Sequence, residues 1–183
     1  LCRELKAECE IVPVEFSELF NVLENREVSF AVMGISITPE RARHIIFSDG
    51  YYRTTSIFVS RAGTGMSAGG RLAVQKDTVL ENYLRNTYPD AELIRLTEYR
   101  DILSAVENGE ADLAFVDALA VYGYLLDNTG LDIAETIELD EALCIGFNKN
   151  DNKLRSAVNE ALGQIRKSGE HESISRKYFD FSI

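Results

Sequence analysis

The sequence predicts an α/β protein of two similar lobes built on mainly parallel sheets, and two observations carry that prediction. From Leu72 onwards, strand-like and helix-like runs alternate, the pattern of βαβ units. The chain also repeats itself. Residues 15–25 align without gaps with residues 98–108, and the register continues through 28–34 against 111–117. Each copy reads as a helix, an Asn turn and a buried strand that closes on a non-apolar residue, Gly34 in one and Asp117 in the other.

Taken in order, the chain opens on a helix remnant and then a strand at 10–14. Phe16, Leu19, Phe20 and Leu23 at i, i+3, i+4 and i+7 give an amphipathic helix over 16–24. Asn25-Arg26-Glu27 turns the chain into a strand over 28–33. Thr38-Pro39-Glu40 starts a short helix: Thr38 caps it, Pro39 has φ already set for the first helical position, and Glu40 suits the positive end of the dipole. Residues 51–60 are rich in β-branched side chains and read as a strand. The glycine-rich loop 62–70 leads into a strand and lacks a Gly-Lys-Ser/Thr ending, so it reads as a flexible connection between lobes rather than a phosphate cradle. Strands at 72–75, 93–96 and 111–116 then alternate with helices at 79–87, 99–107 and 118–126. Cys144 is a buried strand residue. Leu154, Val158, Leu162 and Ile165 give a helix over 152–167, Gly169 breaks it, and 173–179 forms a shorter one.

Composition narrows the function. With 183 residues, 45% of them apolar, the chain has material for one domain or two small ones with a real core. A net charge of −11, with no basic stripe, argues against nucleic acid. The longest apolar runs fall short of the roughly 18 residues that span a bilayer. No basic-then-apolar secretion signal opens the chain, although Leu1 already reads as the inside of a helix, as if the chain starts late. His44 and His171 are isolated and no Cys/His cluster has metal-ligand spacing, so no metal or cofactor is expected. On an unbroken helix Cys2 and Cys9 would lie about 10 Å apart, so bonding them requires the chain to fold back near Lys6-Ala7. Otherwise they are two unrelated thiols of a reduced protein.

The densest signal runs from Gly34 to Tyr52. Ser36, the helix start at Thr38 and Arg41 in the first helical turn make a small anion pocket at a strand's C-terminal edge, of a size for a carboxylate. At the equivalent strand end, Asp117 either caps the following helix or binds a cation. Phe16 either packs in the core or faces a ligand.

Ser36-Ile37-Thr38-x-x-Arg41 followed by Phe47-Ser48-Asp49-x-Tyr51-Tyr52 resembles the signature of the periplasmic amino-acid-binding proteins of ABC transporters. The resemblance implies a two-lobed, type II periplasmic-binding-protein fold, with residues 1–60 plus 146–183 as first lobe and 61–145 as second. The hinge crossings would lie near 58–61 and 143–148, and the close Lys177-Tyr178-Phe179-Asp180-Phe181 would return to the first lobe. It implies that Arg41, with Gly34 and Ser36, holds the α-carboxylate of an L-amino acid and that Asp117 takes its α-ammonium. Phe16 would lie against the ligand side chain and Thr78 would help from the second lobe. Asp77 stands where the family prefers glycine, which weakens the Thr78 contact, and Gly50 replaces the family's usual proline, a change expected to affect only the turn. Some members carry a disulfide at the Cys2/Cys9 spacing, which implies an oxidising, periplasmic or extracellular compartment.

Against the family pattern the first lobe is truncated, lacking the usual N-terminal strand. Neighbouring strands closing the gap, a second copy filling it as a homodimer, or a poorly ordered lobe are the three outcomes. The implied function is non-catalytic capture of an amino acid for the membrane component of an ABC transporter. The alternatives are a cyclohexadienyl or arogenate dehydratase-like enzyme on the same fold, and a receptor sensor domain. The ligand's side chain is not readable.

Overall fold

A computed structural model describes residues 1–66, 70–139 and 142–178. In chain order the elements are α1 (Cys2–Leu5), a 3-10 turn (Phe16–Glu18), α2 (Leu19–Glu24), β1 (Ala31–Ser36), α3 (Pro39–Ala42), β2 (Ile45–Phe47), β3 (Tyr52–Arg53) and β4 (Ser56–Arg61). There follow β5 (Arg71–Gln75), α4 (Val79–Thr87), β6 (Glu92–Leu96), α5 (Tyr99–Glu107), β7 (Leu113–Asp117), α6 (Ala118–Asp127), β8 (Leu131–Ile137), β9 (Ala142–Asn148), α7 (Asn152–Lys167) and α8 (Glu170–Tyr178). They form two compact units, Leu1–Arg53 with Glu141–Ile183, and Thr54–Asp140.

In the first unit β9 is the spine of the sheet. It pairs antiparallel with β1, β2 and β3, so every strand pair here is antiparallel. Side chains alternate across β9. Ile145 and Phe147 pack with Val158 and Leu162 of α7, while on the other face Leu19 and Leu23 of α2 meet Ile35 and Ile45. Gly146 lets that second layer close down. A β-carbon there would stand 3.1–3.2 Å from the Ile45, Leu23 and Ile35 methyls.

The second unit has strand order β6-β5-β7-β4-β8. Its β5–β6 and β5–β7 pairs are parallel and its β4 pairs antiparallel, so the sheet is mixed. Period-two alternation divides the core: Ile57, Val59, Ala114 and Val116 face α5, whereas Phe58, Leu72, Val74 and Phe115 face α4. Phe58 stacks on Phe115 at 4.4 Å between centroids.

Several local expectations change. Residues 10–14 form no strand, and Ile11 is 92% exposed: an apolar β-branched run does not become a strand without a neighbour to receive its backbone bonds. The strand expected at 28–33 begins at Ala31 and runs through Gly34 to Ser36, with a bulge between Ala31 and Ile35 where Gly34 takes φ +61. The expected 16–24 helix opens as a 3-10 turn. The described part of the 62–70 loop joins β4 to β5 inside the second unit, with Ala62 and Gly63 amides bonded to Gly130 and Asp132, so it is not a link between the units. Positions 67–69, like Phe179 at the end of the expected 173–179 helix and the Phe179-Asp180-Phe181 close, lie outside the described residues. Strand β8 was not apparent in the sequence, because its Asp132, Glu135 and Thr136 face solvent on the sheet's edge.

Cys2 and Cys9 are joined by a disulfide, with Cα atoms 6.2 Å apart. The fold-back occurs at Lys6, which takes a left-handed φ of 52 and closes α1 with bonds from the Lys6 and Ala7 amides to the Arg3 and Cys2 carbonyls. Cys144 is a buried free thiol of β9, its pKa raised by burial and by the charge of Asp49.

Candidate functional site

The Gly34–Tyr52 stretch builds a candidate anion-binding group in the first unit. Thr38 caps α3 as its sequence demands: its hydroxyl accepts the Arg41 amide at 3.2 Å, with Pro39 in the first turn. That bond occupies one of the helix-end donors assigned by sequence to an anion. The Arg41 side chain turns back along β1, donating from Nη1 to the Ser36 carbonyl at 2.9 Å. Its Cζ lies 5.3 Å from the centre of the Phe16 ring and 5.5 Å from that of Phe20. Ser36 is buried at the end of β1, while Gly34 is exposed within it rather than at its close. The Phe47-Ser48-Asp49 run has a structural task. The Ser48 hydroxyl accepts the Ile145 amide at 2.9 Å and the Ser48 amide bonds back to Ile145, fastening the chain to β9. Beyond it, Gly50 lies against Ala142: a β-carbon there would come within 2.5 Å of the Ala142 β-carbon.

A second candidate group lies at the end of β7, within the second unit. Asp117 Oδ1 accepts from the Leu119 amide at 2.9 Å, the Ala120 amide at 3.3 Å and the Thr54 hydroxyl at 2.9 Å. The side chain therefore does cap α6, and it does so with a single oxygen. Among the described residues no donor reaches Oδ2. Burial raises the Asp117 pKa, outweighing the Thr54 hydroxyl and the two amides, which act to lower it. Nearby, the Tyr99 phenol is held protonated by burial and by the charge of Asp117.

The family model that matches residues 1–181 is that of bacterial extracellular solute-binding proteins, family 3. The chain belongs to this family. Similar curated proteins include ABC transporter arginine-binding protein 1 of Escherichia coli (strain K12), 25% identical over 98% of this chain and 77% of that one. Another is the histidine-binding periplasmic protein of Salmonella typhimurium, 28% identical over the whole chain and 76% of its own length. Among solved structures, an ancestral arginine-binding protein bound to arginine superposes with a TM-score of 0.89 at 21% identity, covering 97% of this chain and 83% of that one. A periplasmic His/Glu/Gln/Arg/opine family-binding protein from Silicibacter pomeroyi in complex with lysine gives 0.88 at 24%, covering 97% and 82%. Both structures share the type II periplasmic-binding-protein fold with this chain.

In this solute-binding protein Thr78 is bound up locally. Its hydroxyl accepts the Glu81 amide at 3.3 Å, capping α4, and donates to the Gln75 carbonyl at 2.7 Å. Asp77 takes φ +61, the conformation for which glycine is best suited. Its amide donates to Glu81 Oε2 at 2.8 Å and its carboxylate accepts from Arg95 at 3.1 Å. Glu81 is buried beneath Arg85 and Arg95. Burial acts to raise its pKa, but bonds from Arg95, the Asp77 amide and Arg85 together hold it below the usual carboxylate range.

Two residues beside the charged groups escaped sequence reasoning. Thr54 reads in the sequence as a strand former, yet it lies two positions before Ser56, which pairs with Asp117 across β4 and β7. Phe20 reads in the sequence as one residue of an amphipathic helix, although its spacing of four from Phe16 puts both rings on one side of the chain. Among the described residues no group of His, Cys, Asp and Glu is arranged to hold a metal, and no helix is long and apolar enough to cross a membrane.

Proposed function

We propose that this chain captures a small L-amino acid, a basic one first among candidates, as the extracytoplasmic solute-binding component of an ABC transporter. Arg41, with Ser36 and Gly34, takes the α-carboxylate, and Asp117 takes the α-ammonium through the oxygen not used in capping. Thr78 contributes no hydroxyl unless its bond to Gln75 is given up, and Phe16, beside Arg41, lies against the ligand side chain. The observation that carries this reading is that one unit holds a cation, Arg41 of α3, bonded back to the end of β1, and the other an anion, Asp117, at the end of β7, the strand that repeats β1. Family membership and the names of the relatives, which bind arginine and histidine, support it. The disulfide supports an oxidising compartment.

The ligand is held and released unchanged, so the protein is not an enzyme. Lobe assignment follows the two units. Among the described residues β1 pairs only with β9 and exposes Val32 and Met33, so a homodimer through that edge belongs to the proposal. A monomeric mass by light scattering at high concentration removes that part. The main test is a thermal shift and calorimetric panel of the twenty L-amino acids, with arogenate and prephenate alongside. A saturable shift with L-arginine, L-lysine or L-histidine is expected. No shift with any amino acid, or turnover of either acid, overturns the reading.

A further inference from the structure

We propose that Thr54 is a positioning residue: its hydroxyl fixes which oxygen of Asp117 caps α6 and so leaves the other, Oδ2, set and ionised for an ammonium group. The inference rests on the reading of Asp117 as the acceptor of the ligand's α-ammonium. Both residues belong to the second unit. The Leu119 and Ala120 amides hold Oδ1 from the helix side, at 2.9 and 3.3 Å, but two donors from one helix end leave the carboxylate able to turn about χ2 and exchange its oxygens. Thr54 comes from a segment 63 positions away and donates to the same Oδ1 at 2.9 Å. With three donors on one oxygen and, among the described residues, none on the other, the two oxygens are no longer equivalent.

Thr54 is itself held. Ser56, two positions on, pairs with Asp117 in the β4–β7 ladder, and the Ala118 amide donates to the Thr55 carbonyl at 3.0 Å, so the backbone ties this stretch to the strand end it serves. The β-branch of Thr54 restricts its χ1. Its single hydroxyl proton has two acceptors in reach, Asp117 Oδ1 at 2.9 Å and the Thr55 carbonyl at 3.2 Å, and the carboxylate is both the nearer and, being charged, the stronger.

The charge on Asp117 gives the arrangement its consequence. Burial raises the carboxyl's pKa; of the groups that act to lower it Thr54 comes first, ahead of the Ala120 and Leu119 amides, and no charged side chain is among them. From α5, Tyr99 feels the charge of Asp117 but stays protonated and uncharged. An added proton settles on Oδ2, since Oδ1 is already ringed by donors, and Oδ2 is the oxygen an ammonium needs. Proton and ligand therefore compete for one atom, and removing the Thr54 hydroxyl favours the proton.

The test uses wild type, Thr54→Val, which keeps the shape without the donor, and Thr54→Ser, which keeps the donor. In the ligand-free protein the Asp117 carboxyl is titrated by carbon-13 NMR, its resonance assigned by its loss in Asp117→Asn. We expect the midpoint to move to higher pH in Thr54→Val and to stay at the wild-type position in Thr54→Ser. Calorimetry with L-arginine, L-lysine and L-histidine follows the same proteins from neutral into acid. Thr54→Val should weaken binding about tenfold near neutral pH, the size of a hydrogen bond to a charged group, and begin its acid decline at higher pH, with Thr54→Ser within about twofold of wild type. Should Thr54→Val not fold, Thr54→Ala carries the same expectations. An unmoved Asp117 midpoint overturns the proposal even where amino acids bind, as does an affinity that Thr54→Val leaves unchanged or a loss that Thr54→Ser shares. A moved midpoint with no amino acid binding upholds the hold of Thr54 on Asp117 and overturns the function it is said to serve.

Discussion

The two copies of the repeated segment start from similar sequence and end in different surroundings. In the second unit α5 is a nine-residue helix with Ile102, Leu103, Ala105 and Val106 buried, and β7 lies between β5 and β4 with its first four residues buried. In the first unit the helix begins as a 3-10 turn, and β1 is an edge strand that bulges at Gly34 and exposes Val32 and Met33. The helix ends are nonetheless superimposable in their bonding. Asn25, Arg26 and Glu27 donate to Asn21, Leu23 and Val22, and Asn108, Gly109 and Glu110 donate to Ser104, Val106 and Ala105. Both are Schellman motifs with a left-handed residue after the Asn, at φ +60 for Arg26 and +75 for Gly109. Local sequence thus sets the helix, its stop and the turn that follows. How straight and how buried the next strand becomes depends on how many strands flank it.

Substitutions at matched positions test this contrast. The largest effect is expected at the flanked strand. Phe115→Ala should cost about 3–5 kcal/mol in denaturant unfolding, since the side chain is fully buried and stacked on Phe58. At the edge strand Val32→Ala should stay within about 0.5 kcal/mol; equal costs would show the two strands to be equally enclosed.

Next come the two charged groups. Arg41→Ala and Asp117→Ala should each weaken amino-acid binding by at least about 2 kcal/mol, read by calorimetry. They should part in stability, because only Asp117→Ala removes a helix cap, at about 1 kcal/mol. Unchanged affinity in both removes the site.

The helix stops follow. Gly109→Ala puts a β-carbon at φ +75, 2.7 Å from Arg61 Nη1, and should destabilise by about 1–2 kcal/mol. Arg26→Gly relieves the same backbone cost but gives up the Asp151 pair, and should move stability by less than about 1 kcal/mol in either direction. Similar losses at both positions would contradict the equivalence of the two turns.

The smallest expected effect is a pH dependence. Holding an ammonium requires ionised Asp117, whose folded pKa is raised by burial. Affinity should therefore decline on acidification at a higher pH than for an ordinary carboxylate, and Asp117→Asn should flatten that arm of the profile. The sign for stability is opposite. A raised folded pKa favours the protonated fold, so this group's contribution is present below the unfolded pKa and lost as pH rises through the folded one.

Much of this architecture was readable because it rests on local rules. The limits of α5 and α7 follow from apolar spacing and Gly or Asn stops, and the Thr38 cap from three residues in a row. What was not readable depended on partners distant in sequence. Residues 10–14 have strand composition but receive no strand bonds, and β8 has a polar outer side that hides its pairing with β4. At the candidate site the charged residues could be named from their motif. Their holders could not, because Thr54 reaches Asp117 across 63 positions and Phe20 reaches Arg41 from another helix.

The close approach of Gly50 and Ala142 makes the first unit's turn a two-residue fit. A proline at position 50 would drive a pyrrolidine ring into the β9 methyl, and the chain would have to shift at the very point where β3 joins that strand. Trimming the methyl as well, with Ala142→Gly, would reopen the space, so a larger residue at position 50 depends on a smaller one at 142.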